Sequence, residues 1–170
     1  MRHATLLLLV AGLVVPAAAA GGDQVTLYPA LAAAPLLDDV RAESGLKVLL
    51  PEIMHADDYT DGPRHFRLRA TTSASSYDLW LVNLACPKSA PCRRIIAFSA
   101  TRTDDAATGD IALDRGRTGS FTLGSCTGGG CTPASISWIE RGARYTLYAN
   151  RGAKKLASYA NQAIRNGPRR

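Results

Sequence analysis

Two histidines and three aspartates crowd one short stretch of the chain: His55, Asp57, Asp58, Asp61 and His65. This is the densest set of groups that could move a proton or hold a cation. Imidazole titrates near neutral pH, and carboxylates suit hard metal ions. His55, Asp57, Asp61 and His65 are therefore the candidate site of a small hydrolase or a metal-binding protein. The segment HADDYTDG partly follows a calcium loop, with Asp57 first, Asp61 fifth and Gly62 sixth. Tyr59 stands third and Leu68 twelfth, where such a loop needs acids. A solvated acidic loop is the plainer reading. Glycosidase-type chemistry needs two carboxylates across a cleft, and in an extended segment Asp57 and Asp58 point to opposite sides.

Other chemistry finds less support. No G-x-S-x-G elbow is present, and beyond the leader described below only His55 and His65 could serve as a base. Gly128-Gly129-Gly130 lacks the Lys-Ser/Thr that completes a phosphate loop, so it reads as a turn. Trp80 and Trp138 could stack on a sugar or lipid, but both sit in alternating patterns that favour packing within a sheet. No cofactor motif occurs, and no cofactor is expected. Four cysteines form two close pairs, Cys86/Cys92 in CPKSAPC and Cys126/Cys131 in CTGGGC. The intervening five and four residues suit a zinc site less well than two local disulfides bracketing turns.

The cysteine reading depends on compartment. Arg2 and His3 precede an uncharged apolar run from Ala4 to Val15, then Pro16 and Ala18-Ala19-Ala20. This is the pattern of a cleaved export signal over residues 1–20, too short for a membrane anchor. The mature chain, residues 21–170, has the length of one globular domain. It is expected in the periplasm or outside the cell, where thiols pair. The full chain carries a net charge of +6, and no acid follows Glu140. Lys154, Lys155 and Arg165 make a candidate anion-binding face on the closing helix, against the plainer reading of a solvated face. Export argues against nucleic acid as partner; an envelope protein or anionic surface polymer fits better.

The elements that must position these groups are short. Leu31, Pro35, Leu36, Leu37 and Val40 suggest a short helix or a lead-in strand, and Leu46–Leu50 reads as a strand stopped by Pro51. His55–Gly62 reads as a loop. Alternating runs then follow: Phe66/Leu68/Ala70, Tyr77–Leu84, Ile95–Ala100, Ile111/Leu113, Phe121/Leu123, Ile136/Trp138 and Tyr145/Leu147/Ala149. Turn residues such as Arg115-Gly116 and Arg141-Gly142 separate them, which predicts an antiparallel meander. Ala153, Leu156, Ala157, Ala160 and Ile164 fall at helical spacing, and Gly167-Pro168 stops that helix. The predicted class is α+β: a twisted antiparallel sheet of about six to eight short strands, with the C-terminal helix packed on one face.

Trp138, Gly142, Tyr145 and Leu147, then a helix containing ANQAI, resemble the closing strand–turn–strand–helix of exported bacterial domains of unknown function. The paired cysteines before the tryptophan are similar to those of uncharacterised secreted proteins. The resemblance spans Gly124 to Gly167 and implies a fold ending, not an activity. The same ending loosely resembles periplasmic carrier-type sheets closed by a helix. A non-catalytic binding or interaction module of the envelope is the leading expectation. A hydrolase or metal protein using the His55 region, or a periplasmic carrier of a lipid or small apolar ligand, are the alternatives. An apolar cavity between sheet and helix would favour the carrier.

Overall fold

The structure, a computed structural model, describes residues 24–57, 66–83, 94–127 and 130–168. The export signal, the Cys86/Cys92 pair, Asp58, Asp61 and His65 lie outside the described residues.

Strand β1 (Gln24–Leu27) leads into helix α1 (Pro29–Ala33), a 3₁₀ turn (Ala34–Leu36) and helix α2 (Leu37–Ser44). Pro29 opens α1, where a missing N–H costs nothing. Pro35 ends it, because it cannot donate to the Leu31 carbonyl four residues back. Gly45 closes α2 at φ 63°, a left-handed cap that glycine adopts without strain.

Strand β2 (Met54–Asp57) pairs antiparallel with β1, placing Thr26 opposite His55. Then come β3 (Phe66–Ser73), β4 (Ser76–Asn83), β5 (Arg94–Arg102), β6 (Ile111–Leu113) and β7 (Arg117–Thr122). The ribbon β8 (Ser125–Thr127) and β9 (Gly130–Thr132) projects before β10 (Ser135–Glu140), β11 (Ala143–Ala149) and helix α3 (Ala153–Asn166). Seven strands form the main sheet, in the order β3-β4-β5-β11-β10-β7-β6, all antiparallel. The predicted α+β class, with the terminal helix on an antiparallel sheet, is what the structure has.

One face of the sheet is covered. Leu79, Leu81, Phe98, Ile136, Trp138, Tyr145 and Leu147 project from it into a single core. That core also takes Ala33, Leu37 and Val40 from α1 and α2, and Leu156, Tyr159, Ala160, Ala163 and Ile164 from α3. The helix stripe is as the spacing predicts, with Lys154, Lys155 and Arg165 exposed. Tyr159 and Ala163 widen it by filling the i+3 positions beside Leu156 and Ala160. The second half of α3 is clamped to the turn after β6. Asp114 N–H donates to Asn161 Oδ1 at 2.8 Å, and Arg165 pairs with the Asp114 carboxylate at 2.5 Å.

Four local expectations are corrected. The sheet is not a simple meander: β11 lies between β5 and β10, so residues 103–110 carry the chain from mid-sheet to the far edge. Four strand spacings are about 19 Å, a distance eight extended residues cover. Leu46–Leu50 is not a strand. Leu46, Val48, Leu49 and Leu50 are buried, and the Lys47 carbonyl accepts hydrogen bonds from the Tyr77 and Tyr145 hydroxyls. Periodicity cannot distinguish such a buried, side-chain-satisfied segment from a strand. His55–Asp57 belongs to β2 rather than to a loop, because β1 supplies a partner that the acidic composition hides. Leu123 lies beyond β7 and is 77% exposed.

Candidate functional site: an apolar cleft under the first helix

Helix α1 has only five residues and does not fill the space over the sheet beneath it. A cleft of about 550 Å³ remains between α1 and the strands β3, β4 and β5. Its floor is apolar. Leu68 pairs with Leu81, and Leu81 with Ile96, so three side chains form one row across three strands. Phe98 lies two residues further along β5. Pro29, Ala32, Pro35 and Leu36 roof the space, and Thr26, Leu27 and Tyr28 form its edge. Among the described residues, none that lines it is charged.

The mouth is unusual. Tyr28 is 52% exposed and Leu31 74% exposed, and both line the cleft. Only three large hydrophobic side chains are exposed among the described residues, and these are two of them. The third, Leu123, borders a separate cleft of about 750 Å³ beside the β8–β9 ribbon. That second space is of mixed chemistry, with Asn150, Arg151 and Gly152, just ahead of α3, in its wall. The ribbon is stapled by a Cys126–Cys131 disulfide, so this pair is a bridge rather than half of a zinc site.

His55 stands beside the cleft, not in it. Its Nδ1 lies 3.4 Å from the Thr26 hydroxyl across the ribbon. Its backbone is tied to α3: the N–H donates to Tyr159 Oη at 2.8 Å, and Arg151 Nη2 donates to its carbonyl at 3.1 Å. Asp57 closes the same strand opposite Gln24. Among the described residues, no three His, Cys, Asp or Glu side chains come together as a metal site.

The candidate basic face is spread out. Lys154 and Arg165 stand about 16 Å apart along the helix axis. Arg165 is engaged by Asp114, and Lys155 lies 5.3 Å over the Tyr159 ring. Among the described residues, no helix is long and apolar enough to cross a membrane.

The buried hydroxyls serve structure. Burial pushes the Tyr145 phenol up to about 12, with the Glu140 charge adding to the shift. Burial raises Tyr77 as well. Both stay protonated at neutral pH and donate to the Lys47 carbonyl, so neither is a base.

The residues that make the cleft carry no chemical signature, so a search for catalytic types passes over them. The available cue was Leu31, an apolar residue only two positions from buried Ala33, in a segment too short to hide both faces. No family model, curated protein or solved structure matches this chain.

Proposed function

We propose that this protein is a non-catalytic binding protein that carries a small apolar ligand in the cleft under α1. The observation behind the reading is the pairing of a cleft of about 550 Å³, whose described lining is uncharged, with two exposed apolar side chains, Tyr28 and Leu31, at its mouth. Small-molecule sites occupy about 300–1,000 Å³ and are lined mainly by apolar groups. Exposed apolar residues clustered at a concavity mark contact with something other than water. The leader-like first twenty residues support a place of action outside the cytoplasm, where an apolar molecule needs a carrier to cross water.

The test uses N-phenyl-1-naphthylamine, an uncharged fluorophore that brightens on leaving water. The folded protein should bind it at micromolar concentration. Ala32→Trp, at an exposed position of the roof, should fill the mouth and weaken binding at least about tenfold, with the circular dichroism spectrum unchanged. Absence of probe binding, or binding indifferent to Ala32→Trp, would sink the reading.

A further inference from the structure

We infer that two copies of this chain join edge to edge along β3, antiparallel and in one register, so that the sheet continues across a two-fold axis at Ala70. The two margins of the sheet differ. At one, β6 has only three residues and ends on buried Leu113. So short an edge offers little for another strand to pair with. At the other, β3 runs for eight residues, FRLRATTS, with no proline and no shift in its register with β4. Its core-facing Leu68, Ala70 and Thr72 carry no charge, so it also lacks the inward-pointing charge that blunts many edges. Among the described residues, no strand pairs with its outer side.

Charge picks both the partner and the register. A two-fold axis perpendicular to the sheet keeps the covered faces of both copies on one side, so opposed residues point the same way. Two registers pair all but one end residue of each strand. One centres on Arg69 and sets the two guanidinium groups directly opposite each other, which like charge disfavours. The other centres on Ala70, the smallest side chain of β3, and sets Arg69 opposite the partner's Thr71. Within each copy Thr71 is opposite Asp78 of β4, and Arg69, Thr71 and Asp78 are exposed on the face away from the core. Arg69 therefore looks over the short side chain of the partner's Thr71 to the partner's Asp78, two strand spacings or about 10 Å away. A long guanidinium side chain and a carboxylate close that distance between them, and the symmetry makes two such pairs. Among the described residues, neither Arg69 nor Asp78 is ion-paired within its own copy. Nothing in this pairing depends on a ligand in the cleft.

Sedimentation velocity of the purified protein from about 1 to about 200 μM, in about 0.15 M salt to screen the net positive charge of the two copies, tests this. It should show a monomer–dimer equilibrium. Thr71→Arg should weaken the dimer at least about tenfold, since the new cation faces the partner's Arg69. Arg69→Glu should weaken it to a similar degree, because the new carboxylate meets the partner's Asp78. The two changes together should restore association to within about threefold of the wild type, since opposite charges then stand across the junction. Both positions are exposed, so the circular dichroism spectrum and urea midpoint should not move in any of the three variants. A protein that stays monomeric over the whole range would overturn the inference and leave the edge to a different occupant or to none. A dimer indifferent to both single changes would overturn it by placing the contact elsewhere. Single changes that weaken the dimer without rescue by the pair would overturn the register on which it rests.

Discussion

The two halves of the covered sheet face have similar floors and different roofs. Under α3, a fourteen-residue helix lays five buried side chains on the strands. Leu156, Ala160 and Ala163 are fully or almost fully out of solvent there. Under α1, a five-residue helix spans strands bearing Leu68, Leu81, Ile96 and Phe98, and a cleft remains. The sheet supplies apolar residues to both. Helix length, fixed by where Pro29 and Pro35 fall, decides whether the space above them is filled. A buried row of leucines is thus no evidence of a solid interior unless its cover is long enough to close over it.

The largest expected effect separates the two roofs. Leu156→Ala should destabilise the fold by about 2–5 kcal/mol, because the truncated side chain leaves a cavity under a rigid helix. Leu31→Ser should change stability by less than about 0.5 kcal/mol, since that side chain is already in water. Urea unfolding measures both. Equal losses would mean that α1 packs as tightly as α3, and that the cleft is closed in solution.

A middle-sized effect probes the seam between the halves. Tyr77 on β4 and Tyr145 on β11 both donate to the Lys47 carbonyl. Tyr145→Phe should cost about 1 kcal/mol, the usual net value of one buried hydrogen bond. The folded protein holds the Tyr145 proton more tightly than the unfolded chain does, whose tyrosines titrate near 10. Its contribution is therefore complete below pH 10 and lost as pH rises from 10 towards about 12. Alkaline unfolding followed by tyrosinate absorbance should show that loss, and Tyr145→Phe should reduce it, leaving the share of Tyr77, whose phenol burial also raises. A wild-type stability that is level across this window would contradict the buried hydroxyl.

The smallest effect concerns Lys155. Its ammonium lies over the Tyr159 ring but remains exposed, so Lys155→Ala should cost no more than about 1 kcal/mol. A larger loss would mean that the first turn of α3 carries structural weight that its exposure conceals.

How much of this was readable beforehand follows the same division. Helix α3 announced itself because Leu156, Ala160 and Ile164 repeat at helical spacing while the lysines fall off the stripe. The Arg141-Gly142 turn was equally plain, and it joins β10 to β11 with both φ angles positive, 53° and 74°. That twist suits a tight hairpin. Leu46–Leu50 misled, since it is buried without joining a sheet, its Lys47 carbonyl taken up by tyrosine hydroxyls from distant strands. The β1–β2 ribbon was hidden by the acidic run that follows His55. The cleft left only the faint cue of Leu31, for a different reason. Its floor residues look like any core residues and are buried like them, and the space above them depends on how α1 sits over the strands, which is a property of tertiary placement.

The position of β11 has a consequence for how the molecule comes into being. This strand pairs Ala143–Ala149 with Ile96–Arg102 of β5 on one side and with β10 on the other, so the middle of the sheet is its last strand to be made. A chain delivered amino end first can form the β3–β4–β5 hairpins early, but their open edge waits for residues more than forty positions downstream. Such distant pairings are slow to find, and a waiting strand edge is prone to pair wrongly. The half of the sheet beneath the cleft is thus assembled first and sealed last, and the nascent molecule is most vulnerable just before its final strand and helix arrive.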